Sequence, residues 1–293
     1  MIPVIVTGAG GQLGKAFIEI LKFADGFNVY SFDKRQLDIS DREKVIGVLR
    51  TIPKTKYWIN CAAYTRVDDA ESHPDTAFLY NAVAPGYIAE ACRDANVHYF
   101  DFSSDYVYHN LLRRPLLESD PTEPKGIYAK SKLAGETAIR ASGASFSILR
   151  TSWVYGPGGN NFVNTMIRLG PTHPKLRIVS DQVGAPTFTY DIVEAVKTLM
   201  LKHQMNPSLD IHGLFNFANA GEVTWADFAQ RIFTLTGMNV TVDKISTEEY
   251  GAPAPRPAYS VLDCSRISSL LERPIPHWDT ALQNYLTLSG WRK

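Results

Sequence analysis

The stretch Pro3-Val-Ile-Val-Thr7-Gly8-Ala-Gly-Gly11-Gln-Leu-Gly14 decides the fold of this chain. A β-branched run leads into a glycine cluster, and an amphipathic segment over residues 15–22 follows, so the order predicts a strand, a turn and a helix. Glycines permit a tight turn and let backbone amides approach a pyrophosphate at the positive end of the helix. A flexible loop is the alternative interpretation. The position after the first strand favours a dinucleotide-binding turn.

A second predicted strand, residues 28–32, ends at Asp33. A carboxylate at this point accepts hydrogen bonds from an adenosine ribose, which favours NADH. Lys34 and Arg35 follow directly, and basic side chains suit the 2′-phosphate of NADPH. These three residues would equally form a solvated turn. The sequence therefore predicts NADPH or NADH as cofactor without choosing between them.

Length and charge restrict the class of protein. The chain has 293 residues, and its 30 basic and 30 acidic side chains cancel, so no nucleic acid or anionic membrane is expected as partner. No signal-like leader and no membrane-length apolar run are present, and we expect a cytoplasmic protein. Cys61, Cys92 and Cys264 are too few and too scattered for a disulfide framework or a zinc site, so we expect buried thiols and no metal.

Strand-like and helical segments alternate in the first half of the chain. The further strands are predicted at 57–60, 98–102 and 145–150, and the helices at 43–50, 77–93 and 127–141. This alternation predicts an α/β fold with a Rossmann-type doubly wound parallel sheet. We assign residues 1–155 to this dinucleotide-binding domain. Residues 156–293, which begin with a glycine-rich loop, are predicted to form mainly a smaller C-terminal substrate-binding lobe, with some segments returning to the main domain.

Three segments follow predicted strands: the glycine turn, residues 60–65 and residues 103–106. The carboxyl ends of parallel strands lie at one edge of a sheet, where such folds bind their ligands. The sequence therefore predicts that the three segments meet at one crevice.

Tyr128 and Lys132 are four positions apart in the helix predicted over residues 127–141, so they share one face. An ammonium near a phenol favours the phenolate and lowers the tyrosine pKa from its usual value near 10. Tyr128 is thus a candidate general acid. A buried ring beside a solvated amine is the alternative interpretation of the pair alone. Ser104, after the strand 98–102, would add a hydroxyl to the same carbonyl-binding arrangement.

Short motifs occur in order along most of the chain. They are Thr7-Gly8-x-x-Gly11-x-x-Gly14, Asn60-Cys-Ala-Ala-Tyr-Thr65, Val67-Asp68 with Ala70-Glu71, Ser104-Asp-Tyr-Val107, Tyr128-x-x-x-Lys132-Leu-Ala-Gly-Glu136, Arg150-Thr-Ser-Trp-Val-Tyr-Gly156, Asp181-Gln-Val-Gly-Ala-Pro-Thr187 and Arg256-Pro-Ala-Tyr-Ser-Val-Leu-Asp263. The glycine and Tyr-Lys motifs resemble the extended short-chain dehydrogenase/reductase superfamily. The full set resembles the dTDP-4-dehydrorhamnose reductase family within it.

The resemblance implies an NAD(P)H-dependent oxidoreductase that reduces the 4-keto group of dTDP-4-dehydro-6-deoxy-L-mannose to give dTDP-L-rhamnose. It implies that Tyr128 protonates the oxygen that forms as hydride arrives. Lys132 would hold the nicotinamide ribose and lower the Tyr128 pKa, and Ser104 would hydrogen-bond the substrate oxygen. This amounts to electrostatic preorganisation around one developing alkoxide.

The resemblance also implies which residues contact each ligand. The cofactor residues are Gly8, Gly11, Gln12, Leu13, Gly14, Asp33, Asp38, Ile39, Ala63, Tyr64, Thr65, Tyr128 and Lys132, and the substrate residues are Ser104, Asp105 and Trp153. Trp153 as ordinary core and Asp105 as a loop cap are the alternatives. The expected partners are a nucleotide-sugar substrate and a second copy of the chain in a homodimer.

One loop departs from the family pattern. Asp-Tyr-Val usually continues into Phe-Asp-Gly, whereas this chain has Tyr108-His109-Asn110. Asn tolerates the left-handed backbone that Gly would supply, so we expect Asn110 to preserve the turn. His109 is interpreted as a solvated loop histidine, with a proton shuttle as the alternative.

Two other functions are compatible with the motifs. One is another nucleotide-sugar enzyme of the superfamily, a 4,6-dehydratase or an epimerase. Dehydratases typically have an Asp-Glu pair after the serine, and this chain has Asp105 followed by Tyr106. The other is a non-catalytic dinucleotide-binding regulatory subunit, as the β subunit associated with methionine adenosyltransferase resembles this family. The enzyme is favoured by retention of Ser104, Tyr128, Lys132 and Trp153.

Overall fold

The structure, a computed structural model, describes residues 1–291, so the last two residues of the predicted C-terminal lobe lie outside the described residues. Within this range the strands are β1 (Ile2–Thr7), β2 (Phe27–Phe32), β3 (Tyr57–Asn60), β4 (His98–Ser104), β5 (Phe146–Thr151), β6 (Val154–Tyr155), β7 (Lys175–Val179), β8 (Val183–Gly184), β9 (Thr187–Phe188), β10 (Gly213–Asn216), β11 (Val223–Thr224) and β12 (Thr241–Ile245).

Six of these strands form a parallel sheet in the order β10-β5-β4-β3-β1-β2. Thr7 is paired with Phe32 on one side and with Asn60 on the other, and Ser104 is paired with Thr151. The carboxyl ends of five strands thus lie along one edge. Strands β3, β4 and β5 are buried throughout, as expected when helices cover both faces of a parallel sheet.

The helices pack on both faces of this sheet and around the C-terminal half. They are α1 (Gln12–Phe23), α2 (Arg42–Thr51), α3 (Val67–Ala70), α4 (Pro74–Phe78), α5 (Ala84–Asp94), α6 (Ile127–Ala141), α7 (Phe162–Leu169), α8 (Thr189–Met205), α9 (Trp225–Thr236), α10 (Thr247–Tyr250), α11 (Ser265–Leu271) and α12 (Trp278–Leu288).

Two apolar layers show the doubly wound arrangement. On one face, Phe17 of α1 and Val196 of α8 pack with Val4 and Val6 of β1. On the other face, α2, α5 and α6 pack on the sheet around Ile5. The predicted Rossmann-type fold is confirmed.

A separate apolar core lies in the C-terminal half. It is formed by side chains of α7, α9 and α12, among them Val163, Phe228, Phe233 and Leu286, which are all fully buried. The parallel pair β7 and β12 adds Ile178 and Val242 to its edge. This core stabilises the segments that face the carboxyl edge of the main sheet.

Two elements of the C-terminal half lie in the main sheet layers. Strand β10 pairs with β5, and α8 packs against α1. The position of β10 was not predicted, because four residues with one glycine give a weak local signal and the strand is specified by its contact with β5. The boundary after residue 155 stays a prediction.

The helix predicted over 77–93 is longer and is interrupted. It begins as α4, passes through a π-helical segment at Leu79–Val83 and continues as α5. The helix predicted over residues 127–141 has those bounds in α6. π segments often occur at functional sites, and this one packs against α6, which carries Tyr128 and Lys132.

A buried ion pair joins α6 to β5. The Arg150 guanidinium lies 2.6 Å from a Glu136 carboxylate oxygen, and each side chain is 2% exposed. The other carboxylate oxygen accepts a hydrogen bond of 2.6 Å from the Ser103 hydroxyl. Moving α6 away from β5 would leave both buried charges unpaired, which would be costly. The Glu136–Arg150 pair therefore fixes α6 against the sheet.

Within residues 1–291, no helix is both long enough and apolar enough to cross a membrane. The three cysteines are free. No group of three His, Cys, Asp or Glu side chains in the described part of the chain is arranged to hold a metal ion.

Candidate active site

A cavity of 930 Å³ lies at the carboxyl edge of the sheet. The glycine turn, residues 60–63, residues 65–67 and residues 102–106 contribute to its wall, as do Tyr128, Lys132 and Trp153. The three segments predicted to meet at one crevice therefore do so. Residues 158–160 and Trp225 come from the C-terminal half, so the cavity lies between the main sheet and the second core.

Gly8 shows why the turn needs glycine. Its φ is +74°, and a Cβ added there would lie 2.4 Å from the backbone nitrogen of Ala62 and 2.5 Å from the carbonyl carbon of Cys61. A Cβ on Gly14 would lie 2.2 Å from the Gly8 carbonyl oxygen. Only glycine fits both positions. The absence of a Cβ at each of them allows β1, β3 and α1 to approach one another closely.

The first turn of α1 leaves its backbone amides available. Gly11 is the N-cap residue, no side chain caps the helix, and no acidic residue lies in the first turn. Unsatisfied amides and the helix dipole make this end a site for an anion. A pyrophosphate therefore fits the turn formed by Gly11, Gln12 and Leu13, which all line the cavity.

Gln12 connects this turn to the second half of the chain. Its side-chain amide donates to the Val154 carbonyl at 3.2 Å, and its oxygen accepts from the Asn161 amide at 2.7 Å. The glycine-rich loop over 156–161 is thus held against the start of α1.

The predicted adenosine residues surround the end of β2. The Asp33 carboxylate accepts hydrogen bonds from the backbone amides of Arg35 and Gln36. Part of its capacity to accept hydrogen bonds is therefore used within its own turn. The Asp38 carboxylate accepts from Ser40 and from the Tyr80 hydroxyl at 3.1 Å. Ile39 is buried. Asp33, Asp38 and Ile39 do not contribute to the cavity wall, which ends near the glycine turn.

Ser104, Tyr128 and Lys132 lie together in the cavity wall. The Ser104 hydroxyl accepts from the Tyr106 amide at 3.2 Å and donates to the Asp105 carboxylate at 3.1 Å. Lys132 is 4% exposed, and within residues 1–291 its ammonium has no hydrogen-bonded acceptor. A buried ammonium needs acceptors, and the hydroxyls of a nicotinamide ribose would supply them.

The pKa of Tyr128 differs from expectation. Burial raises the pKa of the phenol to about 12, a hydrogen bond with Ser104 lowers it in part, and the nearby Asp105 carboxylate raises it. The pKa is thus raised and not lowered as expected from Lys132, because desolvation of the phenolate is the largest effect on it. Tyr128 therefore holds its proton at neutral pH, as a proton donor must.

Asp105 is buried beside this group, at 2% exposure. Its Oδ2 atom has no hydrogen-bond partner among the described residues. Burial raises the pKa of the Asp105 carboxyl to about 7, and hydrogen bonds from Ser260 and Ser104 lower it in part. A buried carboxyl oxygen without a partner is uncommon, which makes Asp105 a candidate for a ligand contact.

Asn81, in the π-helical segment, fixes the loop after β3. Its side chain accepts from the Tyr64 amide at 2.8 Å and donates to the Tyr64 carbonyl at 3.0 Å and the Ser131 hydroxyl at 3.0 Å. The loop over Ala63, Tyr64 and Thr65 is therefore held to α6. Ala63 and Thr65 line the cavity, whereas the Tyr64 hydroxyl donates to Asp69.

Trp153 and Trp225 form a stacked pair in the wall that faces the second core. Their ring centroids are 3.5 Å apart, with planes inclined by 10°. Trp153 has a φ of +46°, which is rare for a bulky residue. Trp153 is thus not ordinary core, since it is half-buried and lines the cavity.

The divergent loop lies away from the cavity wall. The left-handed residue is His109, with a φ of +26°, and not Asn110 as expected. Asn110 closes the turn with its side chain, which accepts from the Leu112 amide and donates to the Pro121 carbonyl. His109 does not contribute to the wall.

Comparison with known proteins gives the family. A family model described as the RmlD substrate binding domain matches residues 2–289. The dTDP-4-dehydrorhamnose reductase of Sinorhizobium fredii is 36% identical over 278 residues, which cover 94% of this chain and 93% of that protein. The chain belongs to the dTDP-4-dehydrorhamnose reductase family.

Two further proteins are similar to this chain over nearly its whole length. The spore coat polysaccharide biosynthesis protein SpsK of Bacillus subtilis is 41% identical, with 98% of this chain and 97% of SpsK covered. The crystal structure of dTDP-4-dehydrorhamnose reductase from Bacillus anthracis in complex with NADP has a TM-score of 0.92 and 36% identity, with 98% of this chain and 100% of that chain covered.

Among the residues that sequence reasoning missed are Asn81, which holds the loop after β3, and Trp225, which lines the cavity. Asn81 gave one signal, a polar side chain in an otherwise apolar helical pattern, and that side chain is 1% exposed. Trp225 gave none, because an aromatic residue at the start of a helix is ordinary core by pattern.

Proposed function

We propose that this protein reduces the 4-keto group of dTDP-4-dehydro-6-deoxy-L-mannose to dTDP-L-rhamnose with NADPH or NADH. The observation that carries the proposal is the meeting of Ser104, Tyr128 and Lys132 with the glycine turn in one cavity. The names of the Sinorhizobium and Bacillus anthracis relatives support the substrate, and the NADP in the latter's structure supports the cofactor.

The reduction requires a hydride, which the bound dinucleotide supplies. The protonated Tyr128 phenol donates its proton to the carbonyl oxygen as negative charge develops there. The Ser104 hydroxyl hydrogen-bonds the same oxygen, and the Lys132 ammonium binds the ribose and stabilises the phenolate that remains.

We assign the other predicted residues to the two ligands. Gly8, Gly11, Gln12, Leu13 and Gly14 receive the pyrophosphate, which the free amides at the start of α1 support. Asp33, Asp38 and Ile39 are placed at the adenosine, and Ala63, Tyr64 and Thr65 beside the nicotinamide half. Asp105 and Trp153 contact the nucleotide sugar, which the orphaned Asp105 oxygen supports.

We further propose that residues 156–293 form mainly the sugar-binding lobe, with β10 and α8 returning to the main domain. A cytoplasmic location suits an enzyme with soluble substrates.

A homodimer is proposed because Leu79 and Val83, four positions apart on one helix face, are 37% and 40% exposed. Light scattering that gives the mass of one chain would contradict the dimer.

The test is oxidation of NADPH and of NADH, followed by absorbance, with dTDP-4-dehydro-6-deoxy-L-mannose generated in place by its upstream enzymes. We expect substrate-dependent oxidation that yields dTDP-L-rhamnose. No turnover with either cofactor, from protein that is folded and binds dinucleotide, would overturn the proposal and favour a regulatory subunit or another sugar substrate.

A further inference from the structure

The indole ring of Trp153 is covered on one face by Trp225. The centroid separation of 3.5 Å and the inclination of 10° describe two rings stacked face to face. Aromatic rings usually prefer an offset or edge-to-face arrangement, so neighbouring contacts hold this stack in place.

The opposite face of Trp153 is covered by Gly184. A Cβ built on Gly184 would lie 2.6 Å from Cε2 of Trp153, and 2.8 and 2.9 Å from Cζ2 and Nε1. Cε2 is bonded to both Cζ2 and Nε1, so an atom approaching this edge within the ring plane would be nearer to Cζ2 and Nε1 than to Cε2. The added Cβ is instead nearest to Cε2, so Gly184 lies above the ring and not beside it. It cannot share the Trp225 face, because the stacked ring fills that space. Trp153 is therefore sandwiched.

Trp225 is itself anchored. Its Nε1 donates to the Gln182 side chain at 3.2 Å, and the Phe162 ring lies 4.6 Å away. Thr224 caps the helix that Trp225 begins. Trp153 has an unfavourable left-handed backbone, a conformation that persists where surrounding contacts determine it.

A sandwiched indole can offer only its edge to a ligand. Within residues 1–291 the Trp153 Nε1–H donates no hydrogen bond, although the ring lines the cavity. We propose that Trp153 binds the nucleotide sugar through this edge, with Nε1–H donating to a sugar or diphosphate oxygen. Trp225 is the positioning residue that holds the edge in place. The inference rests on the proposed function and adds the mode of contact and Trp225 to it.

Kinetics test the role of Trp225. Trp225→Ala is expected to raise KM for the nucleotide sugar about tenfold, because the variant loses the equivalent of one hydrogen bond between Trp153 and the sugar. KM for NADPH should stay unchanged. Trp225→Phe, which retains a stacked ring, should recover most of this loss. Trp278→Phe is the control, since Trp278 packs on Phe228 in the second core. Unchanged KM for the sugar, or equal changes in both KM values, would overturn the inference.

A second variant separates edge from face. Trp153→Phe keeps an aromatic ring but has no N–H, so it is expected to raise KM for the sugar about as much as Trp153→Ala. Wild-type KM in Trp153→Phe would show that the ring face or bulk makes the contact, which would overturn the edge assignment.

A direct measurement is the indole N–H resonance of Trp153, one of five tryptophans in the chain. Adding dTDP-L-rhamnose is expected to move the Trp153 N–H signal downfield and to leave Trp278 unmoved. A Trp153 signal that stays fixed at saturating product overturns this inference alone, provided that wild-type turnover has been shown. Absence of wild-type turnover would instead overturn the proposed function, and this inference with it.

Discussion

Asp68 and Arg256 are joined by two hydrogen bonds of 3.1 and 2.8 Å, although they lie 188 positions apart in the chain. Asp68 also accepts from the Ala254 amide at 3.1 Å. Its neighbour Val67 lines the cavity, and Pro255 lies against Gly126, the N-cap residue of α6. The Asp68–Arg256 pair therefore ties a late segment of the chain to the cavity rim and to the start of the catalytic helix.

Removing this tie should lower stability. We expect Asp68→Ala to reduce the free energy of unfolding in urea by about 1–2 kcal/mol, because a half-buried Arg256 loses paired, charged hydrogen bonds. Arg177→Ala is the matched control, since the Arg177 and Glu249 side chains are 62% and 54% exposed. Such exposed pairs contribute about 0–1 kcal/mol. Equal effects in both variants would show that Asp68 and Arg256 act as an ordinary surface pair.

Glu71 caps the helix that carries Tyr128. Its carboxylate accepts from the Ile127 amide at 2.8 Å, one residue before Tyr128, and Gly126 has no side chain to do so. We expect Glu71→Ala to cost about 1 kcal/mol of stability and to lower kcat, because the first turn is less fixed. Glu71→Gln keeps an acceptor and should restore most of kcat. If both variants have wild-type kcat, the cap does not position Tyr128.

Tyr128→Phe removes the proposed proton donor without changing the ring. Turnover should fall about 100-fold to 10,000-fold, the usual contribution of general acid catalysis. Affinity for NADPH, measured by fluorescence titration, should stay unchanged. Tyr87→Phe is the control, because Tyr87 packs near Arg42 away from the cavity. Wild-type turnover in Tyr128→Phe would exclude Tyr128 as the donor.

His98 should make the fold sensitive to acid. Its ring nitrogens contact the Ser145 and Ser147 hydroxyls at 2.7 and 2.8 Å, and burial, with His203 and His212 nearby, lowers the pKa of His98 to about 3. The unfolded chain titrates near 6.5, so between about pH 6.5 and 3 it binds more protons than the folded protein. Stability contributed by neutral His98 is present above pH 6.5 and is lost as pH falls through this window.

The pH effect is measured as the difference between wild type and His98→Gln. Their free energies of unfolding should converge as pH falls from 7 to 4, by on the order of 3 kcal/mol. His173→Gln, which changes an exposed histidine, is the control. A constant difference between wild type and His98→Gln across this range would contradict the assignment.

Local patterns in the sequence determined five of the six strands of the main sheet and part of the site. The bounds predicted for α6 and β3 agree with the structure, because the local pattern that specifies each element lies within that element: helical spacing in α6 and a short buried run in β3. The segments after β1, β3 and β4 meet because parallel strands end at one edge. The spacing of Tyr128 and Lys132 needs only a helix.

Tertiary structure decided what depends on residues distant in the chain. Whether Lys132 or burial controls the Tyr128 pKa depends on how the phenol is desolvated, and the sequence does not show this. The sandwich of Trp153 between Gly184 and Trp225 brings together three segments whose separate patterns predict nothing. Sequence periodicity indicates which face of a helix or strand is buried. The packing of the whole chain decides which distant side chain covers that face.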